Sequence, residues 1–148
     1  MDRSALPDEP RRSRAGPIHL KRIYDPPEPA DGCRILVDRL WPRGLTREAA
    51  RIDLWLRAIA PSDTLRRWYG HDPAKWPAFV RQYREELTAP ERQAALTALL
   101  ERARQGPLTL LTATRDLAHS NAAALRQILE EQLTTPGETR EQDDASRR

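Results

Sequence analysis

The sequence predicts an α/β fold: a small layered single domain, a mixed sheet with helices packed on it, and disordered N- and C-terminal tails. Three observations predict it. Two short strand patterns stand near the start, and two helices with apolar stripes follow them. A buried apolar run then comes directly after a helix, which is the order of an αβ unit.

Residues 1–17 alternate proline, arginine and acids with almost no apolar periodicity, so they cannot repay the entropy of ordering and are expected as a tail. His19-Leu20-Lys21-Arg22-Ile23-Tyr24 alternates apolar and polar, as a half-buried strand does. Asp25 to Gly32 is breaker chemistry and too short for a helical crossover, so the strand Cys33–Asp38 is expected to run antiparallel to the first. It leads into Arg39-Leu40-Trp41-Pro42-Arg43-Gly44, a loop stiffened by proline.

Thr46 can cap a short helix, although the residues from Ile52 to Ile59 give no clean period. Ser62 or Asp63 can cap another through Tyr69, stopped by Gly70. Asp72-Pro73 opens a firmer helix, with Asp72 as N-cap and Pro73 in the first turn. Trp76, Phe79, Val80, Tyr83 and Leu87 form its stripe. Pro90 begins a further helix with Leu96, Leu99, Leu100 and Ala103 inward, ended by Gly106-Pro107. Leu108–Ala113 reads as a buried strand, and the last helix spans about 120–133, with Ala123, Ile128 and Leu129 inward. Three strands at most are expected. Residues 134–148, beyond the stop at Pro136-Gly137, read as a second tail, leaving 18–133 as the domain.

The length of 148 residues suits one core. No apolar run is long enough to span a bilayer, and no secretory leader is expected, since the first ten residues carry acids and no apolar stretch. The cytoplasm is the expected compartment. Cys33 is the one cysteine, which excludes an internal disulfide and a cysteine-based zinc cage. The net charge of +3 is spread through 18–133, a weak signal for nucleic acid because mixed-sign charge is ordinary surface chemistry.

Chemistry is expected where strands end, because ligands of open α/β sheets sit beyond the carboxyl ends. One strand end delivers Asp38, Arg39 and Arg43. The other delivers Thr114, Arg115 and Asp116, then His119, Ser120 and Asn121 at a helix start. If the loops meet, arginine forks and free amides favour a phosphate- or carboxylate-bearing ligand. Alternatively Arg39 pairs with an acid, and Arg115 with Asp116 or Asp38, as loop staples; Arg43 also reads as a surface residue. His119 before a helix suits acid/base work, with Asp38 or Asp116 to orient it, or else serves as a loop hydrogen-bonder.

His71-Asp72 is a pair used by metal-dependent phosphohydrolases, but further histidines at ligand spacing are missing and capping accounts for Asp72. No metal and no cofactor are expected. Trp76 and Trp68-Tyr69 read as core. Trp41 either stacks on a base or a guanidinium or plugs the sheet edge, and Asn121 is a candidate ligand contact.

Lys21-Arg22-Ile23-Tyr24-Asp25-Pro26-Pro27, Asp31-Gly32 and Leu36-Val37-Asp38-Arg39-Leu40-Trp41-Pro42-Arg43-Gly44-Leu45 resemble the YeaO-like members of domain-of-unknown-function family 488. The match continues through Asp53-Leu54-Trp55, Ile59-Ala60-Pro61-Ser62, Leu65-Arg66-Arg67-Trp68 and Gly70-His71-Asp72-Pro73. It closes with Leu110-Leu111, Arg115-Asp116, His119 and Asn121, so it covers about 19–130. The resemblance implies a small bacterial α/β protein and carries no established activity. Longer members of the wider family have cysteines in the segment resembling 112–122, where this chain has no thiol, so cysteine chemistry does not transfer. Cys33 and Thr112 stand where relatives are typically aromatic, which weighs against an aromatic-lined pocket.

Two functions follow from the residues. The first is binding of a small anionic ligand at the edge formed by 38–44 and 114–121. Were it an enzyme, it would hydrolyse or transfer groups, with Arg39 and Arg115 as clamps, His119 as the acid/base and Asp38 or Asp116 as the catalytic carboxylate that orients it. The alternative is a nucleic-acid-binding module using Trp41, Arg39, Arg43, Arg47 and the N-terminal arginines. A purely structural or regulatory partner is a third class; a membrane partner is not expected.

Overall fold

A computed structural model of the protein describes residues 16–134. The two tails expected from the sequence therefore lie outside the described residues, apart from Gly16, Pro17 and Thr134. Gly16 and Pro17 already belong to the fold: the Gly16 amide donates to the Ala103 carbonyl at 2.9 Å, and the Pro17 carbonyl accepts from the Leu108 amide at 3.1 Å.

The chain order is β1 (Ile18–Arg22), β2 (Cys33–Leu36), α1 (Arg47–Ala50), β3 (Leu54–Trp55), α2 (Asp63–Tyr69), α3 (Trp76–Glu86), α4 (Pro90–Gln105), β4 (Leu108–Thr112) and α5 (Asn121–Thr134). The sheet order is β1-β4-β2-β3, and every pairing is parallel. The expected antiparallel pairing of the first two strands is thus wrong, and so is the mixed sheet. β4 lies between them, in register Leu20↔Leu110↔Ile35.

The connection of residues 23–32 achieves this without an α-helix, as a short crossing with one 3-10 turn, Pro29–Asp31, held by polar bonds. Thr109 Oγ1 on the central strand donates to the Asp31 carbonyl at 2.7 Å. Lys21 Nζ donates to the Pro26 carbonyl at 2.8 Å and to Asp31 Oδ1 at 3.0 Å. Arg34 Nη1 donates to Asp31 Oδ2 at 2.6 Å, and its remaining donors reach the carbonyls of Ala50 and Arg51. Asp31 and Arg34 are only 3% and 4% exposed, a buried ion pair whose donors and acceptors are largely matched. Burial pushes the Asp31 carboxyl up, but the Glu28 amide, Lys21 and Arg34 outweigh it and hold the group below its ordinary value. Gly32 completes the crossing: its φ of +65° is left-handed, and a Cβ there would sit 2.2 Å from the Pro107 carbonyl oxygen.

Alternation along the strands divides the apolar residues between two faces. Ile18, Ile35, Val37, Leu108 and Leu110 pack against the helices, meeting Phe79, Tyr83, Leu96, Leu99, Leu125, Ile128 and Leu129. Each such side chain, fully buried, contributes roughly 1.5–3 kcal/mol. The other face carries a smaller cluster of Ile23, Leu36, Ala50 and Leu111 beneath Trp41, Leu45 and Trp55. Trp68, expected as core, is 40% exposed; only its neighbour Tyr69 is buried.

The caps behave as their residue types dictate. Thr46 accepts from the Ala49 amide, Ser62 from Leu65, and Asp72 from Ala74. Asp72 caps a 3-10 turn, Pro73–Lys75, that leads into α3 rather than α3 itself. β3 is a fourth strand not expected from the sequence, two residues long and paired only with β2.

Candidate functional site

With all four strands parallel, their carboxyl ends share one edge. A cleft of about 300 Å³ opens there. It is lined by Asp38, Arg39, Leu40, Trp41, Pro42 and Arg43 after β2, by Ala113 and Thr114 after β4, and by Asn121 at the start of α5. Tyr24 follows β1, while Ala60, Arg66, Tyr69, His71 and Phe79 come from the helical layer. The two strand-end loops do meet, as the sequence suggested.

Asp38 joins those loops. Its Oδ2 accepts from the Ala113 amide at 2.8 Å. Its Oδ1 accepts from Thr112 Oγ1 at 2.8 Å and from Asn121 Nδ2 at 3.2 Å. Asn121 Nδ2 also donates to the Val37 carbonyl at 3.2 Å. One carboxylate therefore ties β2, β4 and α5 together, and Trp55 Nε1 donates to its backbone carbonyl at 2.8 Å. These bonds consume most of the acceptor capacity of Asp38 on the protein itself.

The cations are arranged differently. Arg39 pairs with Asp63 in the first turn of α2, and Arg66 reaches the same carboxylate at 3.1 Å. The Arg39 bond, above all, holds the Asp63 carboxyl below its ordinary value, against a desolvation that opposes it. The Arg43 carbonyl accepts from Tyr24 Oη at 3.0 Å, whereas its guanidinium has no partner among the described residues. The segment 39–67 holds seven arginines against Glu48, Asp53 and Asp63, a surplus larger than that of the whole chain.

Arg115 does not join them. It is exposed and absent from the cleft walls, so the loop after β4 supplies backbone and Thr114 rather than a guanidinium. Asp116 and His119 also lie outside the cleft walls. They do form the expected pair, His119 Nδ1 to Asp116 Oδ2 at 2.8 Å, with the ring edge-on to Trp76 at 5.4 Å. Tyr69 links this pair to the cleft by donating from Oη to the His119 carbonyl at 2.7 Å. Burial, with Asp116 and Asp72 adding to it, pushes the Tyr69 hydroxyl up to about 12. The start of α5 is not an open cluster of amides, since Ser120 Oγ accepts from the Ala123 amide at 3.0 Å.

Trp41 is partly buried and plugs the sheet edge while still lining the cleft. Its Nε1 donates to the Leu45 carbonyl at 2.6 Å, its ring meets Trp55 edge-on at 5.3 Å, and Arg47 lies over it at 4.5 Å. The cleft is aromatic despite Cys33 and Thr112, because Tyr24, Trp41, Tyr69 and Phe79 come from other elements. Tyr69 and Phe79 stack at 4.1 Å as its floor. No group of three or more metal-ligating side chains occurs among the described residues, and no described helix is long and apolar enough to cross a membrane.

Arg66, Tyr69 and His71 are cleft residues that sequence reasoning did not place there. Of these, Arg66 and His71 stood within the stretches that carry the family resemblance. His71 holds a left-handed φ of 58°, which turns the chain sharply after α2.

Residues 17–147 match the family described as the inactive DUF488-N3 subclade. An uncharacterised protein of Mycobacterium tuberculosis is 40% identical over 112 residues, 76% of this chain and 92% of that protein. The uncharacterised protein YeaO of Escherichia coli is 39% identical over 108 residues, 73% of this chain and 92% of YeaO. No solved structure matches. The match along almost the whole described domain, with two relatives near 40% identity, makes the chain a YeaO-like member of the DUF488 family.

Proposed function

We propose that the protein binds a small phosphate- or carboxylate-bearing ligand in the strand-end cleft and does not turn it over. The carrying observation is the charge of the cleft wall. Arg39, Arg43 and Arg66 line the cleft with one carboxylate, Asp38, which is already engaged by Thr112, Ala113 and Asn121; Arg39 and Arg66 share Asp63 behind the wall, and Arg43 has no partner among the described residues. Guanidinium forks grouped in a partly enclosed cleft favour an oxyanion.

Binding without turnover is supported by the position of the acid/base pair. His119 and Asp116 do not line the cleft, and Asp38 serves as a structural acceptor. The description of the matched subclade as inactive points the same way.

The nucleic-acid alternative needs an aromatic face on which a base can stack. Trp41 offers little of one, since Arg47 covers its ring and Trp55 abuts it.

A thermal-shift comparison of wild type, Arg43→Ala and Arg115→Ala with inorganic phosphate, sugar phosphates, carboxylates and short oligonucleotides tests this reading. A ligand of the folded state raises the melting temperature by mass action. The expected result is protection of wild type and Arg115→Ala by a small anion, lost in Arg43→Ala. Protection by oligonucleotides alone, falling steeply with salt, overturns it in favour of the alternative. Equal protection of all three proteins, or of none, overturns it too.

A further inference from the structure

We infer that the ligand of this cleft is an aryl phosphate in the broad sense, a phosphate dianion carried directly on a flat apolar body; this rests on the anion-binding reading above. Two features of the cleft exceed what a bare oxyanion requires. The first is its size, about 300 Å³, at the lower end of the range occupied by small-molecule pockets. Inorganic phosphate would leave most of that space to water.

The second feature is the surface beside the arginines. Leu40 is 64% exposed and Tyr24 43% exposed, and both stand in the cleft wall. Leu40 is the most exposed large apolar side chain of the described domain, immediately next to Arg39. Pro42 and the partly buried Trp41 continue that wall, and the Tyr69–Phe79 stack forms its base. The mouth is held in shape by the Tyr24 hydroxyl bonded to the Arg43 carbonyl. That bond fixes the Tyr24 ring beside the loop that carries Arg43, whose guanidinium has no partner among the described residues.

Apolar walls beside cations recognise a molecule with both characters: the ring is taken out of water while its charged end stays paired. Arg43 has no partner among the described residues and Arg39 and Arg66 share one carboxylate, Asp63, so the three guanidiniums keep spare donors that a three-oxygen phosphate head uses more fully than a two-oxygen carboxylate. A phosphate head is therefore favoured over a carboxylate, and a flat body over a flexible one because the exposed apolar wall is the Tyr24 ring and Leu40, with Pro42 beside them.

Calorimetric titration of the full chain with phenyl phosphate, inorganic phosphate, methyl phosphate, benzoate and benzyl alcohol tests the inference. Phenyl phosphate is expected to bind about ten-fold or more tighter than inorganic or methyl phosphate, and tighter than benzoate. Leu40→Ser, a change at an exposed position that the fold tolerates, should shrink the advantage of phenyl phosphate and leave inorganic phosphate unaffected. Equal binding of phenyl, methyl and inorganic phosphate, all abolished in Arg43→Ala, overturns this inference and leaves the anion site standing. Benzoate binding tighter than phenyl phosphate overturns the phosphate head. Benzyl alcohol binding as well as phenyl phosphate, or no binding by any anion, removes both this inference and the reading beneath it.

Discussion

Arg39 in the cleft wall is ion-paired with Asp63, in the first turn of the helix across from it. Asp63 also receives Arg66, so a single carboxylate competes with any ligand for two of the three guanidiniums. Asp63→Asn is expected to free both and to tighten anion binding about two- to five-fold, the range of a screened, half-exposed pair. Titration of the variant with inorganic phosphate at fixed ionic strength checks this; weaker binding would mean that Asp63 positions the arginines.

Asp38 is expected to matter for stability before it matters for binding. Asp38→Ala leaves the Ala113 amide, the Thr112 hydroxyl and one Asn121 bond without their acceptor. Stranding such groups costs about 2–3 kcal/mol. Urea unfolding at neutral pH measures it, and a loss below about 0.5 kcal/mol would show that water replaces the carboxylate freely.

The buried charges under the crossing predict an acid limb in the stability curve. The Asp31 carboxyl is held below its ordinary value of 3.8, so its contribution is complete above that pH and is lost as pH falls through the folded-state value. Asp31→Asn is expected to cost about 3 kcal/mol at pH 7, because Arg34 is left buried without its counter-charge. Denaturation at pH 7 and again near pH 3 should show the gap between wild type and variant narrowing in acid. A gap that does not change with pH would be inconsistent with an ionised Asp31.

Arg115→Ala is expected to change little. The side chain is exposed and stands outside the cleft, so stability should move by no more than about 0.5 kcal/mol and anion protection should persist. Loss of protection in this variant would place Arg115 in the site after all.

The helices and their caps were legible because they depend on near neighbours in the sequence. Thr46, Ser62 and Asp72 each reach an amide two or three residues on, and Pro90 and Gly106 bracket α4. The sheet order was not legible. A ten-residue connection normally returns a chain to the adjacent strand, and its ability to cross β4 depends on Thr109 and Arg34, residues 78 and three positions away from Asp31. Arg39 shows the same division: both roles read from the sequence, cleft cation and partner of an acid, coexist in the structure. Arg115 was misplaced because a residue's position at a strand end does not fix which way its side chain leaves the loop. Arg66, Tyr69 and His71 reach the cleft only once α2 has packed against the sheet.

The position of β4 between β1 and β2 also has a consequence for synthesis. Translation delivers β1 and β2 before β4, yet among the described residues β1 has no ladder partner except β4, which ends at Thr112. Residues up to 112, about three-quarters of this sequence, must leave the ribosome before the first strand can complete its ladder. A nascent chain halted before Leu108 has β2 paired at most with the two residues of β3, and the rest of its strand backbone faces solvent. Arrest at that length should leave the chain protease-sensitive throughout, with protection arriving in one step once β4 emerges.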